Sequence, residues 1–269
     1  MAEQHRVTIE GGTIAYQQAG SGPMVVMLHG IGGAAAQFRA QLAGLADEFT
    51  AIAWDAPGYG DSDDPDGDWR MPDYARRLAA LLDHLTPDPV HILGQSWGGL
   101  LAQEFYRQYP ARVRSLILSD TFAGSVVRPE EQRDAILQGR LDALATKTPA
   151  EMATARLPVL VTDDAPEAVK QEIETMLAAI HPSGYRQAAI ALHHTDFLDL
   201  LPKITVPTLV IAGEHDRVVA MEHSRQLAEG IPGARLEVIA GSGHLSNQQK
   251  PDEYNAVVRA FLREVGGGR

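Results

Sequence analysis

The chain has 269 residues, 45% of them hydrophobic, with a net charge of −12 and no cysteine. That composition supplies a core for one large domain and excludes disulfides, thiol chemistry and cysteine metal sites. The acidic balance argues against nucleic acid and anionic membrane surfaces as partners, because both require a basic face.

The opening Met1-Ala2-Glu3-Gln4-His5-Arg6 lacks the apolar core of a secretory signal. Residues 6–10 and 13–18 alternate apolar and polar around Gly11-Gly12, the pattern of an antiparallel hairpin at a sheet edge. Short apolar runs at 24–28, 51–54, 90–93, 115–118, 208–212 and 236–239 suit parallel strands buried on both faces. Helices are predicted at 35–47, 71–85, 100–109, 223–230 and 252–265. Strand alternating with helix implies a mostly parallel sheet covered on both sides. No apolar run approaches the ~20 residues needed to span a bilayer, and a cytoplasmic location suits the absence of cysteine. The closing Gly266-Gly267-Gly268-Arg269 reads as a disordered tail.

The alternation breaks between 122 and 201, where helices are predicted at 129–145, 149–156, 166–180 and 184–194, with prolines near several starts. We read residues 122–201 as a helical cap inserted after the sixth strand. Residues 1–121 and 202–269 then form the α/β core. Apolar cap residues such as Ile136, Leu137, Met152 and Met176 point to a mostly apolar pocket. The arginines Arg128, Arg133, Arg140, Arg156 and Arg186 are scattered along the cap and form no tight basic cluster.

The most informative stretch is Val90-His91-Ile92-Leu93-Gly94-Gln95-Ser96-Trp97-Gly98-Gly99, an apolar strand running into Gly-x-Ser-x-Gly and then a helix. A serine on such a tight strand-to-helix turn stands clear of the sheet as a nucleophile. Its neutral hydroxyl needs a base, and that base needs an orienting carboxylate. Both follow later strands, as Gly213-Glu214-His215-Asp216 and Gly241-Ser242-Gly243-His244. The candidate catalytic set is Ser96, His244 as general base and Asp216 as orienting acid. Asp120, at the end of the sixth strand, is the rival acid. The backbone N–H of Trp97 is expected in the oxyanion hole. Leu28-His29-Gly30-Ile31-Gly32-Gly33 is expected to supply the second donor from Ile31, with Gly32 as alternative. His29, Gly30 and Gly32 are taken with it as substrate-binding residues, and His29 also braces the loop. The run Asp55-Ala56-Pro57-Gly58-Tyr59-Gly60-Asp61-Ser62 reads as a structural turn beside that loop.

Taken together, these motifs resemble the α/β-hydrolase superfamily across nearly the whole chain. The resemblance implies an eight-stranded, mostly parallel sheet, a helical lid, a serine nucleophile and neither cofactor nor metal. Gly184-Tyr185 to Leu192 and His244-Leu245-Ser246-Asn247 look like 3-oxoadipate enol-lactonases. The expected activity is hydrolysis of a small carboxylic ester or lactone through an acyl-enzyme, by a monomer or homodimer. Carbon–carbon bond hydrolases of meta-cleavage pathways and proline iminopeptidases are the alternatives. The former usually carry tryptophan where this chain has Leu245. The latter present cap acids to a substrate amine, for which Glu167, Glu172 and Glu174 are the candidates. A ligand receptor on the same fold is the non-enzymatic alternative.

Overall fold

The apolar runs form one sheet. The computed structural model describes residues 2–267. Its strands are β1 (Glu3–Ile9), β2 (Gly12–Ala19), β3 (Met24–Leu28), β4 (Thr50–Trp54), β5 (Val90–Gln95), β6 (Val113–Ser119), β7 (Thr208–Gly213) and β8 (Arg235–Ile239). They pair in the order β1-β2-β4-β3-β5-β6-β7-β8. The β1–β2 and β2–β4 pairings are antiparallel and all others are parallel. Gly11, at φ +90, closes the β1–β2 hairpin.

Five core helices flank the sheet: α1 (Arg39–Leu45), α2 (Met71–Leu85), α3 (Trp97–Gln108), α8 (Met221–Gly230) and α10 (Pro251–Gly267). The period-two alternation of a strand divides the core. Val26 and Leu28 pack with Leu78, Leu101 and Leu227 on one face, and Val25 and Met27 with Leu42, Tyr254 and Val258 on the other. β5 and β7 are therefore buried along their whole length, which is why they read as unbroken apolar runs.

Between β6 and β7 lie α4 (Glu130–Thr146), α5 (Pro149–Leu160), α6 (Glu167–Ala178) and α7 (Pro182–His193). α5 and α6 share a small apolar cluster around Leu160, Ile173 and Leu177. The start of α7 rests on the core so closely that a Cβ on Gly184 would lie 1.9 Å from the Gly58 carbonyl oxygen. α4 is different, since none of its 17 residues is buried.

Several boundaries depart from the sequence pattern. The predicted helix at 35–47 is a 3-10 turn, Ala35–Phe38, followed by α1. α3 begins at Trp97 and so takes in Gly98 and Gly99, poor helix formers kept there by close packing that overrides propensity. α5 continues through Pro158 to Leu160. A short helix, α9 (Ser246–Gln249), follows His244. Gly266 and Gly267 of the expected tail belong to α10, while Gly268 and Arg269 lie outside the described residues. Among the described residues, no helix is long and apolar enough to cross a membrane.

Candidate active site

Ser96 leaves β5 as the N-cap of α3, with φ 54 and ψ −114. A non-glycine residue in that region is strained and must be held by its surroundings. Its N–H donates to the Ser119 carbonyl at 2.9 Å, and the Thr121 hydroxyl donates to its carbonyl at 2.7 Å. The glycines around it are steric requirements. A Cβ on Gly94 would meet the Gly98 carbonyl oxygen at 2.2 Å, and one on Gly98 would meet that of Leu28 at 2.0 Å.

Asp216 follows β7 and His244 follows β8, at the carboxyl ends of the strands where such sheets place their sites. The structure brings these residues together with Ser96. The Ser96 hydroxyl lies 2.9 Å from His244 Nε2, and His244 Nδ1 lies 2.8 Å from Asp216 Oδ2. The Asp216 and His244 side chains are each only 4% exposed. The other Asp216 oxygen accepts the N–H groups of Val218 and Val219 at 2.7 and 2.9 Å. Asp120 is spoken for elsewhere. Its carboxylate accepts Gly213 N–H at 2.7 Å and the hydroxyls of Ser119 and Ser246 at 2.8 and 2.7 Å. Burial, and then the nearby Asp216 charge, push its carboxyl above the usual range.

A relay of amides, absent from the sequence reading, joins the three loops of the site. Gln95 donates to the His244 carbonyl at 2.8 Å and accepts from Gln37 at 3.0 Å. Gln37 in turn accepts Gly30 N–H at 3.2 Å. Gln37 and Gln95 are 58 residues apart. The only hint in the sequence is an amide placed next to the elbow serine.

Gly30 must be bare, because a Cβ there would lie 2.5 Å from Gln95 Oε1 and 3.3 Å from Ser96 Cβ. The N–H groups of Ile31 and Trp97 donate to no protein acceptor among the described residues. Gly30, Ile31, Ser96 and His244 border one small cavity. Gly32, at φ +84, faces Leu177 and Tyr185 of the cap. The expectation that His29 contacts substrate is corrected. The residue is fully buried and borders none of the site cavities. Its Nε2 accepts Ala56 N–H at 3.0 Å, so Nδ1 carries the proton and donates to the Gly30 carbonyl at 2.9 Å. With both nitrogens committed, it is a neutral brace, and burial pushes its pKa down to about 4. The Asp55 carboxylate adds to this bracing by accepting Ala35 N–H at 2.7 Å.

Above Ser96 lies a cavity of about 450 Å3. Ile136, Leu137 and Met152 line part of it, as an apolar pocket would require. The expected scatter of arginines, however, is overturned. Arg128, Arg133, Arg140 and Arg156 all border this one cavity, and only Arg186 points elsewhere. Arg133 and Arg140 are two helical turns apart on α4 and therefore share a face. α5 brings Arg156 opposite them. Glu167, Glu172 and Glu174 do not border the cavity. Glu172 instead pairs with Arg39 at 3.0 Å, and Glu174 accepts from Thr154.

This arrangement of sheet, elbow and cap defines a fold class. Over residues 23–251 the chain matches the family described as the alpha/beta hydrolase fold, and it belongs to that family. It is 31% identical over 224 residues to a poly(3-hydroxyalkanoate) depolymerase of Ectopseudomonas oleovorans, covering 82% of this chain and 77% of that one. It is 29% identical over 243 residues to 3-oxoadipate enol-lactonase 2 of Acinetobacter baylyi, covering 90% and 89%. A thermophilic esterase of Thermogutta terrifontis, solved with malate bound, superposes with a TM-score of 0.90 at 28% identity, covering 98% and 99%.

Proposed function

We propose that the protein is a serine hydrolase of carboxylic esters or lactones. The observation that carries this reading is the unbroken line from Asp216 through His244 to the strained Ser96, which opens onto a ligand-sized cavity. Ser96 Oγ attacks the substrate carbonyl as His244 Nε2 takes its proton. The Ile31 and Trp97 N–H groups receive the oxyanion. His244 then returns the proton to the leaving alcohol, or to the ring oxygen of a lactone. Water, deprotonated by His244, releases the acyl group from Ser96. Asp216 holds the imidazole in the Nδ1–H tautomer and stabilises the imidazolium. Losing one oxyanion donor in a site of this kind raises the barrier by roughly 3–4 kcal/mol.

The relatives support ester chemistry, since they include an esterase, an enol-lactonase and a polyester depolymerase. The iminopeptidase alternative loses ground, because no acidic side chain borders the cavity to receive a substrate amine. The test is steady-state hydrolysis of 4-nitrophenyl esters and small lactones by the wild type and by Ser96→Ala. The variant should lose about 10³-fold or more in kcat while still binding substrate. Retention of esterase activity in Ser96→Ala would overturn the mechanism.

A further inference from the structure

The cap helix α5 ends against the two loops that carry Asp216 and His244. The last carbonyls of a helix have no partner within it. Here the Pro158 carbonyl accepts from Arg217, the neighbour of Asp216, at 2.9 Å, and Arg217 also pairs with Asp163 at 3.0 Å. The Leu160 carbonyl accepts the N–H of Leu245, the neighbour of His244, at 3.1 Å. The approach is close. A Cβ on Gly243 would lie 2.9 Å from both the Leu160 carbonyl oxygen and Val161 Cα.

One buried side chain completes this junction. Gln249, the last residue of α9, accepts Gly243 N–H at 3.0 Å and Thr162 N–H at 3.3 Å with its Oε1. Its Nε2 donates to the Gly241 carbonyl at 3.3 Å and to the Thr162 hydroxyl. Two backbone donors meet one end of the amide and a carbonyl meets the other, so its orientation is fixed. Gln249 and Thr162 are 87 residues apart. A single amide therefore joins the cap to the residue that precedes the general base. The turn it grips has little support of its own. Gly241, at φ +63, and Gly243 leave Ser242 as the only side chain between them, and its hydroxyl is spent on the Ile239 carbonyl at 2.9 Å. From the core side, Gln95 holds the His244 carbonyl at 2.8 Å. From the cap side, the hold on Gly243 is Gln249.

We infer that Gln249 is a positioning residue for the general base. It clamps the turn 241–243 against the end of α5, so that the cap fixes where His244 stands. The assignment rests on the serine-hydrolase reading, in which His244 Nε2 must keep its place 2.9 Å from Ser96 Oγ. A shift of about 1 Å in such a group can cost about 10²-fold in rate. The end of α5 then works as part of the catalytic floor, although it belongs to the cap in sequence.

The first arm of the test compares Gln249→Met with Gln249→Glu in the steady-state hydrolysis of 4-nitrophenyl acetate, each variant being shown folded by circular dichroism. Methionine has a similar length and makes none of the hydrogen bonds. Glutamate can still accept from Gly243 N–H and from the N–H and hydroxyl of Thr162. Gln249→Met should lower kcat by about tenfold or more with KM nearly unchanged, and Gln249→Glu should restore most of that loss. An equal loss in both variants would overturn the clamp. The second arm places Gln249→Met in His244→Ala. With no base left to position, the residual rate should fall no further. A further fall by the same factor as in the wild type would reduce Gln249 to general support of the fold and overturn the inference. If Gln249→Met does not fold, Thr162→Val, which removes the hydroxyl on the cap side, replaces it in both arms. A smaller fall in kcat is then expected, again only where His244 is present, and an unchanged kcat would overturn the clamp. Full kcat in Gln249→Met, with turnover abolished in Ser96→Ala, would overturn the inference and leave the serine-hydrolase reading standing. Full turnover in both Ser96→Ala and His244→Ala would overturn that reading and the inference with it.

Discussion

The floor and the roof of the cavity are built on opposite terms. On the floor, the Ser96 hydroxyl, both His244 ring nitrogens and both Asp216 oxygens have a polar partner in the protein. The loops carrying Ser96 and Asp216 leave strands buried on both faces, and the loop carrying His244 leaves the edge strand β8. On the roof, α4 buries none of its residues, and four arginines face the cavity without a carboxylate. Reacting atoms must be held within fractions of an ångström before substrate arrives. Core packing can do that, because backbone and short side chains define the positions. Recognition of a remote group tolerates long side chains on a lightly packed helix.

If this contrast holds, a methyl group added to the floor should do far more damage than one added to the roof. The largest effect is expected for Gly98→Ala. Its Cβ meets a backbone oxygen at 2.0 Å, and backbone cannot swing aside. A stability loss of about 3 kcal/mol or more is expected, together with loss of activity, measured by urea unfolding and ester turnover. An unchanged unfolding midpoint would show that the elbow is more pliable than its geometry implies.

Acid should also strike the core beneath the floor first. His29 is buried with both nitrogens committed, and His91 is buried with Nδ1 at 2.7 Å from the Ser115 hydroxyl. Burial pushes both pKa values down to about 4. The unfolded chain takes up these protons near pH 6.5, before the folded chain does. The stability conferred by neutral histidine is therefore complete above pH 6.5 and is lost as pH falls to about 4. Each residue should account for about 3 kcal/mol across that window. Asp120, raised by burial, acts in the opposite sense over the same range, so the informative quantity is a difference. Removing one histidine as His91→Gln should make the acid-induced loss smaller by about 3 kcal/mol. Parallel stability curves for the variant and the wild type would contradict a buried neutral His91.

The smallest effect belongs to the roof. A Cβ on Gly139 of α4 meets no atom within 4 Å, so Gly139→Ala should simply favour the helix. A gain of about 0.5–1 kcal/mol is expected. A loss instead would mean that α4 is packed more tightly than its exposure shows, and would erase the contrast between floor and roof.

Much of the floor was legible because its determinants are local. Apolar runs mark the strands, and close backbone approach demands glycine at 94 and 98 on either side of Ser96. Chain order then presents Asp216 and His244 at the ends of later strands. The sequence by itself thus determined the sheet, the elbow and the three residues that meet there. Only the tertiary structure decided three other matters. It joined Gln37 to Gln95, 58 residues apart, and so bound the Gly30 loop to the loop of His244. It committed both nitrogens of His29 to backbone groups and so withdrew that side chain from the substrate. It also turned Arg128, Arg133, Arg140 and Arg156, which look dispersed along the chain, toward one cavity. Helical phase places Arg133 and Arg140 on the same face. Which face of α4 looks inward, and that α5 brings Arg156 opposite it, depends on how the helices pack. Packing sums many weak contacts between distant segments, and no local pattern in the sequence records the result.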